Sequence, residues 1–157
     1  MIVWGILLPR FNLVVDMTQA DFDKIQQELQ IKLPAHYIKF MENPSGAFVQ
    51  LKALAPHQPF LYEHAEELIK INQHLGFHGS DTFIKQRLCI GDNGGGDFYL
   101  IDLQTPDDPR VFLLDHEETV AIAYDAATDT WDWDQVEYAE NISTHINETL
   151  EMFNIEL

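Results

Sequence analysis

Five stretches hold residue types that do chemistry in other proteins, and each can be tested against the spacing that chemistry needs. His116-Glu117-Glu118-Thr119-Val120 opens like a zinc-protease helix, but the fifth position is valine. Two imidazoles four residues apart are what clamp the metal, so the reading fails. His74 and His78 do have that interval, yet Gly76 lies between them and interrupts any helix that would align them. Gly91-Asp92-Asn93-Gly94-Gly95-Gly96-Asp97 invites a phosphate-loop reading. Such a loop needs a lysine to neutralise phosphate, whereas here two carboxylates would repel it. A tight turn between paired strands is the expectation. Asp125, Asp129, Asp132, Asp134 and Glu137 suggest calcium, but the sixth position counted from Asp129 is Asp134, where the calcium loop requires glycine. No Ser/His/Asp or Cys/His arrangement has local support. Cys89, the single cysteine, sits in apolar Leu88-Cys89-Ile90 and is expected in the core, unreactive. An enzyme thus finds no positive support, and no metal or cofactor is expected.

The fifth stretch, Asp129-Thr130-Trp131-Asp132-Trp133-Asp134, suits binding rather than catalysis. On a strand, Trp131 and Trp133 would share one face and Asp132 and Asp134 the other. Aromatic anchors ringed by acids suit a basic surface; a tryptophan in the core is the equal alternative. Charge points the same way. Twenty-six acids oppose nine bases in 157 residues, a formal charge of −17. Residues 1–87 hold nine acids and eight bases, whereas residues 88–157 hold seventeen acids and one base, Arg110. Solubility alone would be served as well by mixed signs. Such a field disfavours nucleic acid and anionic membranes and favours a basic partner. The candidate partner-binding residues are Asp92, Asp97, Tyr99, Asp107, Asp108, Asp115, Glu117, Glu118, Asp129, Trp131, Asp132, Trp133, Asp134 and Tyr138.

The elements that must position these residues are partly legible. Thr18-x-x-Asp21 approximates a capping box before Phe22, Ile25 and Leu29 at helical spacing. A second helix opens at Leu33-Pro34, with Tyr37, Ile38 and Met41 inward, and ends at Asn43-Pro44-Ser45-Gly46. Residues 47–59 show no clear period and read as strand or loop. A third helix is expected from Leu61 to Leu75, with Gly76 as its cap. Strand-like runs follow at Arg87–Ile90, Phe98–Leu103, Val111–Leu114 and Val120–Tyr124, separated by turn signals and close enough for an antiparallel meander. Ile142, Ile146, Leu150 and Phe153 mark one face of a final helix starting near Asn141. Helices, then strands, then a helix is an α+β pattern: a central antiparallel sheet with flanking helices, in a single domain over residues 1–157. Met1 to Leu8 lacks a basic region and a cleavage site and is expected to be a buried or edge strand, which makes the cytoplasm the default compartment. The glycosylation triplets at Asn141 and Asn147 carry no weight there.

The order of motifs resembles the SUKH superfamily. Leu33-Pro34-Ala35-His36-Tyr37-Ile38-Lys39-Phe40-Met41 is similar to its "LP-x-x-Y-x-x-F-hydrophobic" element, although Asn43-Pro44-Ser45-Gly46 replaces the Asn-Gly-Gly-like turn that follows. Leu88 to Asp102 resembles the second signature, a strand ending in Ile-Gly, a Gly-Gly-Asp turn and a strand ending in Asp. Val111 to His116 resembles the next strand, and the C-terminal helix the closing one; the likeness spans roughly residues 18–153. It implies an α+β domain and a bacterial immunity protein that binds and blocks a toxin encoded beside it, many such toxins being nucleases. It also implies, as the second reading, the regulatory scaffold role of a fungal branch related to a yeast cell-wall synthesis regulator. Neither role requires catalytic residues.

Overall fold

The computed structural model describes residues 17–75 and 86–156. The expectations for Met1 to Leu8, Gly76 and His78 lie outside them.

Helix α1 (Gln19–Leu29) starts as its capping box dictates. The Thr18 hydroxyl accepts from the Asp21 N–H at 3.3 Å and the Asp21 carboxylate accepts from the Thr18 N–H at 2.8 Å. Phe22 and Ile25 are fully buried. Pro34 precedes α2 (Ala35–Glu42) as its cap, and Tyr37 and Met41 enter the core. The next segment corrects the sequence reading: residues 46–54 form a helix, α3 (Gly46–Leu54), not a strand or loop. Ser45 supplies the start, its hydroxyl accepting from the Phe48 N–H at 3.3 Å, and Phe48 and Leu51 give the helix its buried side. Helix α4 (Ala65–His74) begins four residues later than expected, because Phe60, Leu61 and Tyr62 are buried in a non-helical segment. Glu66 and Glu67 in its first turn complement the helix dipole.

The sheet holds β1 (Arg87–Asp92), β2 (Phe98–Asp102), β3 (Val111–Leu114) and the short β6 (Tyr138–Ala139), antiparallel and in the order β1-β2-β3-β6. Its outer strand is covered. Asn72 of α4 accepts from the Cys89 N–H at 2.9 Å and donates to the Cys89 carbonyl at 2.8 Å. The Pro59–Tyr62 segment continues the seal, with Asp92 N–H to the Pro59 carbonyl (2.9 Å) and Tyr62 N–H to the Ile90 carbonyl (2.8 Å). That segment lies so close that a Cβ at Gly91 would stand 2.2 Å from the Phe60 carbonyl oxygen, so this position admits only glycine.

Beyond β3 the strand expected at Val120–Tyr124 is instead a short helix, α5 (Glu118–Ala123), followed by a hairpin of β4 (Tyr124–Asp125) and β5 (Thr130–Trp131). Asp115 turns the chain, its carboxylate accepting from the N–H groups of Glu117 (2.8 Å) and Glu118 (2.6 Å). Trp131 and Trp133 do not share a strand, since Trp133 opens a 3-10 turn, Trp133–Gln135, capped by Asp132. Helix α6 (Ile142–Glu156) closes the fold as expected, with Ile142 and Ile146 buried and Leu150 and Phe153 packed against the core. The α+β arrangement of an antiparallel sheet with flanking helices stands.

Candidate functional site

The register decides which predicted residues can meet. Tyr99 lies opposite Leu113, while Leu100 lies opposite Phe112 and Phe112 opposite Tyr138. Neighbouring residues on a strand point to opposite faces. The Tyr99 and Leu113 side chains therefore share one face, and Phe112 and Tyr138 the other.

The Phe112 face carries an aromatic chain. Trp133 meets Phe112 edge-on at 5.4 Å, stacks on Trp131 at 5.3 Å, and Trp131 lies 4.7 Å from Tyr124. Arg87 is 5 % exposed, lies 4.0 Å over the Trp133 ring and pairs with buried Asp102 at 3.0 Å. Arg110 lies between Phe112 and Tyr138 and holds Asp108 through two nitrogens. Trp131 and Trp133 are half-buried against the core, whereas Tyr138 is 45 % exposed. Asp129 and Asp132 serve the local chain, Asp129 accepting from the Tyr124 hydroxyl at 3.1 Å and Asp132 from the Asp134 N–H at 3.2 Å.

The Tyr99 face carries a groove of about 340 Å³ between the sheet and α6. Of the predicted residues it gathers Asp97, Tyr99 and Asp115. It adds, among others, Glu137, His145, Glu148 and Met152, none of them among the predicted partner-binding residues. His145, Glu148 and Met152 share a helix face by their spacing of three and seven residues. That stripe lies beside the apolar one and was readable in principle. Glu137 is placed by the backbone, its carbonyl accepting from the Leu113 N–H at 2.8 Å.

His145 is the unusual member. It is 3 % exposed, its ring lies 4.2 Å from that of Tyr99, and its Nε2 has no hydrogen-bond partner. Burial drives its pKa down to about 4, so the imidazole is neutral at neutral pH. Burial also raises the Tyr99 hydroxyl to about 12. At the rim, His116 Nδ1 lies 3.1 Å from the Asp97 carboxylate; that bond, with the Glu117 charge, raises its pKa.

The glycine turn beside the groove is not an anion cradle. The Gly94 N–H already donates to Asp92 at 2.7 Å, and the Gly95 N–H to Asn93 at 2.8 Å. Asp92 also accepts from the Tyr62 hydroxyl at 2.7 Å. Glu117 and Glu118 are exposed next to it, at the end of β3. Asp107 and Asp108 belong to the β2–β3 connection at the other end of the strands, one strand length or about 15 Å away. The acidic half therefore forms no single patch: the groove end and the β2–β3 connection lie at opposite ends of the strands. Cys89 is buried as expected, and burial pushes its thiol up to about 12, far from a nucleophile. Among the described residues no group of three or more histidines, cysteines or acids is arranged to hold a metal ion, and no helix is long and apolar enough to cross a membrane.

The model of the SMI1 / KNR4 family (SUKH-1) matches residues 16–145, most of the chain. No curated protein and no solved structure matches it.

Proposed function

Because this chain belongs to the SMI1 / KNR4 family (SUKH-1), we propose that it is a non-catalytic immunity protein that neutralises a basic protein toxin, of the nuclease class, in the bacterial cytoplasm. One observation carries the reading. From Leu88 onward the only lysine or arginine is Arg110, and it is clasped by Asp108, leaving the groove carboxylates with no lysine or arginine from their own half of the chain. Nucleases are basic where they hold phosphates, and a surface of carboxylates imitates that charge. Opposite fields steer such a pair together at up to about 10⁸–10⁹ M⁻¹s⁻¹ at low salt. The field also disfavours direct binding to nucleic acid. Asp92, Asp97, Tyr99, Asp115, Glu117 and Glu118 cluster at the groove end and are the leading contact candidates. Asp107 and Asp108 lie at the far end of the strands, Trp133 and Tyr138 pack on the Phe112 face with Trp131 stacked on Trp133, and none of these, nor Asp129, Asp132 or Asp134, lines the groove.

The test is binding of the protein encoded immediately upstream, measured at low and at high salt. The expected result is a tight complex that weakens as salt is added, because screening acts on exposed charges over about 10 Å at 0.1 M. A complex indifferent to salt, or no complex at either salt, would refute the proposal.

A further inference from the structure

We infer that the groove between α6 and the β2–β3 strands is the seat of an arginine side chain of the protein partner, the guanidinium held by the carboxylates and lying against the Tyr99–His145 pair. The inference rests on the proposed function for the partner's class and goes beyond it in naming the side chain and the seat.

The lining selects the occupant. Asp97, Asp115, Glu137 and Glu148 enter from four separate parts of the fold: the β1–β2 turn, the end of β3, the approach to β6, and α6; Asp97 and Asp115 keep their local hydrogen bonds and contribute charge, and the exposed Glu137 and Glu148 are the direct acceptors. Carboxylates arranged around a groove of about 340 Å³ exclude an anion. They do not converge on a point, so a small metal ion is not their match. A planar cation with several N–H donors spread around its edge is. His145 supplies the independent sign of a ligand. Its buried Nε2 lacks a partner, and buried polar atoms are ordinarily hydrogen-bonded. A neutral imidazole has one acceptor nitrogen; when that is Nε2, it accepts one guanidinium N–H. Leu113 and the 67 % exposed Met152 offer an apolar surface for the methylene stem. Lysine, a compact and strongly hydrated point charge, would not satisfy the spread of acceptors.

The test uses the full chain with labelled histidines and two probes, acetyl-Gly-Arg-Gly-amide and its lysine counterpart, followed by NMR at low salt. The His145 ring signals are expected to shift saturably with the arginine peptide and to respond far less to the lysine peptide. The Glu137→Gln/Glu148→Gln pair, both exposed, should weaken arginine-peptide binding about fivefold, the effect of two partly screened charge contacts. Asp23→Asn/Glu28→Gln, both exposed on α1, removes equal charge outside the groove lining and should leave it unchanged. Equal shifts with both peptides, or equal losses in both double variants, would overturn the inference. Failure of the two proposals is separable. A salt-sensitive complex with the upstream protein, beside a groove that ignores the arginine peptide, overturns the groove alone. A groove that takes the peptide, beside no complex, overturns the immunity role alone.

Discussion

Lowering the pH to 5 should destabilise this protein through His145 by an amount that can be calculated and isolated. The folded pKa lies near 4 and the ordinary value is 6.5. The unfolded chain therefore takes up the proton first. Stability is full above about pH 6.5, falls as pH drops toward 4, and then levels off. From the two binding curves, moving from pH 7.5 to pH 5 costs about 2 kcal/mol. Other groups titrate too, so the contribution is read as a difference. His145→Phe keeps a ring against Tyr99 and cannot ionise. The groups lining the groove with His145, namely Asp97, Tyr99, Asp115, Glu137 and Glu148, remain in both proteins. Urea unfolding at the two pH values should show the native protein losing about 2 kcal/mol more than the variant. Equal losses would refute a buried neutral imidazole. A smaller loss in the native protein would mean that the groove carboxylates hold an imidazolium, reversing the sign.

Three further outcomes follow from contacts elsewhere. Asp102→Asn removes the counter-charge of buried Arg87 and should lower stability by about 3 kcal/mol or more. Adding Arg87→Met should recover part of this in urea unfolding, and a single-variant loss under about 1 kcal/mol would make the pair no better than a surface one. Gly91→Ala drives a Cβ into the Phe60 carbonyl, at 2.2 Å, and should lower the melting temperature by several degrees, a loss of about 2 kcal/mol; an unchanged melting temperature would show that Pro59–Tyr62 yields easily. For His116 the pKa is raised, first by the bond to Asp97. Its stabilisation is complete below about pH 6.5 and fades as pH rises through the folded value, so His116→Gln should destabilise more at pH 5.5 than at pH 8.5, and the reverse order would discard the Asp97 contact.

Where one short-range cause acted, the sequence was enough. The Thr18 box started α1, and the glycine turn joined β1 to β2 at Asn93 to Asp97. Where two causes competed, it misled. In α3, Pro44 and Gly46 read as breakers, yet Ser45 between them caps the helix. In α5, Thr119, Val120 and Ile122 favour strand by their branched side chains, and the Asp115 carboxylate overrides them by engaging two N–H groups. The site was half visible. Charge pointed to the half of the chain that lines the groove, but opposite sheet faces separate Tyr99 from Tyr138, and that depends on register. His145 offered no signal of its own, because only the folded chain buries it against Tyr99.

Asn72 and the Pro59–Tyr62 segment occupy the outward backbone groups of Cys89, Ile90 and Asp92, and the opposite margin of the sheet is a strand of two residues. A visitor that recognises others by adding its own strand needs a long open border, and the described sheet offers none. Recognition is left to side chains. Main-chain pairing is indifferent to residue identity, whereas a surface read by side chains can be retuned one substitution at a time. A partner bound on this fold could therefore be exchanged for another without any change of shape.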